Sequence, residues 1–162
     1  SKYVKYKVPT KGATEMSNKK INVTRREFLE SYRNHYKLYC NTTTTESPKT
    51  RRLILFYAVE CGLKSLIMKQ TGNNTFQQLE QYCQTNPGKK LAGHDIRAMI
   101  REANPKEAFI LRDIRLKNGG GSVPPNRFNE LWRYGPEVED STQEDDAEKI
   151  LIKIADWLYT II

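Results

Sequence analysis

The side chains of this sequence that could do chemistry together are Glu60, His94, Arg97, Arg112, Arg115, Arg133 and Tyr134. They offer a carboxylate, an imidazole, four guanidinium groups and a phenol. Arginine forks donate in pairs to phosphate oxygens, and an aromatic ring offers a stacking face, so one reading is a cationic pocket for phosphate. The other is a buried polar network that holds layers of the fold in register, with Glu60 accepting from His94 or from an arginine. Asp95 belongs with the set, because a carboxylate suits the positive end of the helix that His94 opens. Both readings require separate stretches of chain to meet in space.

Local motifs add no sharper chemistry. No cysteine pair and no histidine pair on one turn is present, and His35 and His94 lie far apart, so no metal or cofactor is implied. No Gly-x-Ser-x-Gly element occurs. Cys61 with His94 could make a thiolate nucleophile, but Cys61 stands in an apolar helix, where inert burial is the stronger reading. The run Asn118-Gly119-Gly120-Gly121-Ser122 lacks a following Gly-Lys-Ser/Thr, and no strand clearly precedes it. It reads as a hinge or surface loop, with phosphate binding as the alternative.

The element that must position these residues is the stretch Ser47–Lys69. Ser47 can cap it and Pro48 fits a first turn. Leu55, Phe56, Val59, Leu63, Leu66 and Ile67 recur at helical spacing, and Ile54, Ala58 and Cys61 widen the apolar surface. A helix apolar on several sides belongs at the centre of a bundle. Glu60 lies within its covered face, and a carboxylate there needs a partner or a wet pocket.

Around that helix the spacing predicts others. Thr24 and Glu27 form a capping box, followed by Phe28, Tyr32, Tyr36 and Tyr39 on one face. The threonines 42–45 and Pro48 make a short linker. Thr75 opens a helix with Phe76, Leu79 and Tyr82, ended by Asn86-Pro87-Gly88. His94 and Asp95 open one with Ile96, Met99, Ile100 and Ala103. Pro105 is expected to start another, with Ala108, Phe109, Leu111, Ile114 and Leu116 packing and Arg112 and Arg115 on an adjacent face. Phe128, Leu131 and Trp132 precede a C-cap at Gly135, and Ser141 or Thr142 caps a last helix whose stripe runs from Ala147 to Ile161. The predicted architecture is all-α: a single-domain, up-and-down helical bundle over residues 23–162. A basic arm over residues 1–22 is flexible or ordered by a partner, with Tyr3, Val4, Tyr6 and Val8 able to form a short strand.

Composition bounds the rest. The 162 residues carry a net charge of +8, split as +14 over residues 1–135 and −6 over residues 136–162. Such a division steers polyanions to one surface without naming them. Three widely spaced cysteines make no disulfide framework, and no leader or membrane-spanning run is evident, so a cytoplasmic setting without membrane contact is expected.

The segments Leu55–Leu66, Gly93-His94-Asp95-Ile96 and Leu131-Trp132-Arg133-Tyr134-Gly135, with a closing amphipathic helix, resemble the HEPN superfamily of helical bundles. The resemblance spans roughly residues 25–162. It implies a place in prokaryotic toxin–antitoxin, abortive-infection or anti-phage systems, either as a metal-independent ribonuclease or as a non-catalytic partner. The family's signature is an arginine, a polar residue, and a histidine four to six positions after the arginine. Here no histidine follows Arg112 at that spacing, and Lys89 and Lys90 occupy the corresponding place before His94. The expectation is a non-catalytic, HEPN-like accessory or regulatory subunit that binds a nucleotide, RNA or a partner protein, as a homodimer or with another chain. The alternatives are an atypical ribonuclease using His94 and arginines, a simple nucleic-acid binder using the basic body and arm, and a purely structural, protein-binding bundle.

Overall fold

From Arg51 to Met68 no residue is exposed, and this stretch forms the axis of the fold. The computed structural model describes residues 20–42, 47–89, 91 and 93–162. The basic arm with its Tyr3–Val8 strand, up to residue 19, and the threonine linker from residue 43 to 46 lie outside the described residues. Among the described residues there are six α-helices: α1 (Arg25–Asn41), α2 (Pro48–Thr71), α3 (Phe76–Thr85), α4 (Ile96–Ala103), α5 (Phe128–Tyr134) and α6 (Ser141–Ile161). Two short strands, β1 (Ile114–Arg115) and β2 (Ser122–Val123), form an antiparallel hairpin. The all-α bundle expected from the sequence is the fold.

Helix α2 packs against all five other helices, which is why its apolar residues leave no solvent face. Leu55, Phe56, Ala58, Val59 and Leu63 are fully buried. Gly62 is the point of closest approach. A Cβ there would lie 2.7 Å from Leu158 and 2.9 Å from Tyr32, so α1 and α6 come within reach of α2 because this position has no side chain.

Local signals set the helix ends. The Thr24–Glu27 capping box forms, Thr75 accepts from the Gln78 amide, and Gly72 and Gly135 close α2 and α5 in the left-handed region. Two caps differ from expectation. Ser47 stands at the start of α2 without a side-chain cap bond. At α6 the cap is Asp140, not Ser141 or Thr142, and its carboxylate accepts from the Thr142 amide.

The three tyrosines of α1 stack along one face and tie it to α6. Tyr32 donates to the Ala155 carbonyl, Tyr36 to Asp156, and Tyr39 to Glu148 at 2.7 Å. Burial is the first cause that raises all three phenols above their ordinary range, and nearby carboxylates add to it. They therefore remain protonated donors.

The helix expected after Pro105 does not form. Asn104 ends α4 in the left-handed region, and the chain then runs without helix to β1. A residue before proline is disfavoured in the helical region, so Asn104-Pro105 stops the helix and does not restart it. Phe109 and Leu111 are buried while Ala108, Ile110 and Arg112 are exposed, an alternation of period two. The glycine-rich run is also more specific than a loose hinge. Asn118 and Gly119 both have positive φ, and the Gly120 amide donates to the Lys117 carbonyl at 3.1 Å. That is the Asn-Gly hairpin turn matching the twist of the flanking strands.

Candidate functional site

Helix α2 carries Glu60 on the side facing the start of α4. The residue is 5% exposed, yet its carboxylate is not orphaned. His94 Nδ1 lies 2.9 Å from both carboxylate oxygens, and Lys64 Nζ lies 2.8 Å from Oε1. A carboxylate only accepts, so Nδ1 of His94 is the donor. The turn before α4 holds the ring there: Gly93 takes a positive φ, the Ile96 amide donates to the His94 carbonyl, and Asp95 caps the Ala98 amide.

Lys64 stands one turn beyond Glu60 on the same helix. Its side chain is 13% exposed, and its ammonium sits 5.6 Å from the Phe28 ring centroid and 5.3 Å from that of Phe76. Phe28 of α1 and Phe76 of α3 meet edge to face. The Glu60 centre thus joins α1, α2, α3 and the start of α4. The imidazole is its outer member, with a side chain 45% exposed.

The arginines do not join it. Arg97 donates to the Leu111 carbonyl and to Asp113. Arg112 is exposed on the extended stretch before β1, and Arg115 is exposed within β1. The expectation that they share a helix face fails because their segment is not helical. Arg133 donates to the Tyr57 hydroxyl and lies 5.8 Å from the centroid of Tyr134, itself 73% exposed. The convergent phosphate pocket is therefore not formed. Of the sequence-derived set, Glu60 meets His94 and Arg133 meets the adjacent Tyr134 ring, while no arginine bonds to Glu60 among the described residues.

A second polar centre was not anticipated. Arg52 of α2, 8% exposed, donates to Glu144 at 3.1 Å, Asp145 at 2.7 Å and Glu148 at 2.9 Å, all on α6. Trp132 of α5 donates to Glu144, and Tyr39 of α1 to Glu148. The available signal was an arginine at the opening of an apolar run and two glutamates one turn apart beside the last helix's stripe.

A groove of about 840 Å³ lies between the extended stretch before β1 and α6. Among the described residues, no group of three or more His, Cys, Asp or Glu side chains is placed to hold a metal ion, and no helix is long and apolar enough to cross a membrane.

Among the described residues no hydrogen bond joins Cys61 to His94, whose Nδ1 donates to Glu60. Burial, with the Glu60 charge next, pushes the Cys61 thiol up to about 11. At pH 7.5 the thiolate fraction at that value is roughly 3 in 10,000. Exposed Cys40 should therefore react with a disulfide reagent under native conditions long before Cys61. The Cys61 rate should still be rising with pH at pH 9. Mass mapping of the labelled thiols measures both.

Comparison with protein-family models, with curated proteins and with solved structures returns no match for this chain.

Proposed function

We propose that this chain is a non-catalytic, HEPN-like accessory subunit that binds a partner protein, within a prokaryotic defence or toxin–antitoxin system. The observation that carries this reading is the state of Glu60. Its carboxylate is taken by both His94 and Lys64, and the arginines that would hold a phosphate lie on other elements. General acid–base cleavage needs a titrating group within reach of a scissile bond, and His94 lines neither the groove beside α6 nor the one at the Asn118-Gly119 turn. The groove beside α6 is lined by apolar and charged side chains along an extended stretch of chain, a form suited to a protein ligand.

The test is incubation of the purified chain with mixed RNA across pH and divalent-metal conditions. The expected result is intact RNA. Cleavage by the wild type that His94→Ala abolishes, with the fold retained, overturns the reading.

A second reading has one specific observation in its favour. Glu60 fixes the Nδ1 proton of His94 and leaves the ring partly open to solvent, which is how a carboxylate orients an imidazole for proton transfer. The same RNA experiment supports this atypical ribonuclease if it gives His94-dependent cleavage.

A further inference from the structure

We infer that the groove between residues 108–113 and α6 is a docking site for an extended, acidic segment of a partner protein, which adds as a strand alongside this stretch. The inference rests on the protein-binding reading above and specifies the chemistry of the partner.

The first observation is the backbone. From Phe109 to Asp113 no amide N–H donates to another group among the described residues, and the Leu111 carbonyl, bound by Arg97, is the one acceptor engaged. Immediately afterwards the chain enters the β1–β2 ladder. This is an extended segment with unpaired polar groups next to an existing sheet, the template that strand addition uses.

The second observation is the lining. Ile110, 63% exposed, faces the same groove as Ile150 and Ile152 of α6. Alternate side chains of an added strand would find apolar contact there.

The third observation is charge. Residues 136–162 contain only two cations, Lys149 and Lys153, and both line this groove, as does Arg112. Against these three stand Asp113 and Asp146, and Asp113 is already bonded to Arg97. The groove is therefore net cationic within the acidic part of the chain, and it favours a partner with carboxylates between its apolar residues. It disfavours this chain's own basic arm.

The probe is a fluorescein-labelled peptide alternating Glu with Val or Ile, added to the full chain and read by fluorescence polarisation. Binding is expected, weakening as salt rises. Lys149→Glu with Lys153→Glu, and separately Ile110→Asp, should each reduce affinity about tenfold or more. These side chains are exposed or at the rim, and circular dichroism checks that the variants fold. Methylating alternate peptide amides should cost about tenfold if the backbone pairs as a strand. A peptide alternating Lys with Val should not bind.

No binding, equal binding of the basic peptide, or indifference to the groove variants overturns the inference. Concentration-dependent self-association that the groove variants abolish overturns it too, since the occupant is then a second copy. Failure here with RNA left intact removes the acidic-strand partner alone. RNA cleavage dependent on His94 removes the underlying reading whatever the peptide does.

Discussion

Arg52→Ala should destabilise the fold by about 3–5 kcal/mol. For a chain of this size that lowers Tm by on the order of 10 °C. The reason is what the guanidinium leaves behind. Glu144 is 4% exposed and would keep its charge with only the Trp132 indole as donor. Glu148, its side chain 18% exposed, would keep only Tyr39. Asp145 contributes little to the loss, because its side chain is 55% exposed and solvent screens it. Glu144→Gln should cost less, about 1–3 kcal/mol, because an amide oxygen still accepts from Trp132. Urea unfolding of the two variants checks the order. Equal and small losses would mean that α2 and α6 are held by apolar packing alone.

Glu60→Ala should cost about as much, roughly 3–5 kcal/mol, because it strands the Lys64 ammonium between Phe28 and Phe76. His94→Ala should cost about 1 kcal/mol or less, since the imidazole is half exposed and Glu60 keeps Lys64. A network whose inner member is Lys64 loses stability when the carboxylate goes and tolerates loss of the histidine. Denaturant titration of both variants gives the comparison, and equal losses would contradict the network. A reactive dyad shares the small stability cost of His94→Ala and differs in activity, which the RNA assay reads.

How much of this was legible follows from how far apart the cooperating residues lie. Thr24 with Glu27, Thr75 with Gln78 and Gly135 at a C-terminus are local devices, readable because their partners are within four residues. The centrality of α2 was readable from apolar residues on every side. The stretch after Pro105 is ambiguous in sequence because Phe109 and Leu111 alternate while Leu111 and Ile114 stand at helical spacing. The Asn104-Pro105 step and the Asn118-Gly119 turn decide it. The positions of Arg112 and Arg115 follow from the same choice.

The site divides in the same way. A carboxylate within a covered helix has to find a partner, so Glu60 announced itself, and His94 at a helix opening was a reasonable donor. Lys64 was overlooked although it stands at the right helical spacing, because a lysine is usually a surface residue. Here its ammonium bonds the acid and sits over two phenylalanine rings. The Arg52 cluster joins residues more than 90 positions apart, and no local pattern reports such a meeting.

The central claim is that Lys64 closes the Glu60 centre and makes it a structural network. A double-mutant cycle with Glu60→Ala and Lys64→Met, read by urea unfolding, tests it most directly. A coupling energy of about 1–3 kcal/mol between the two positions is predicted. Strict additivity would contradict the claim: Lys64 would then leave the carboxylate in solution, and Glu60 and His94 would stand free as a dyad.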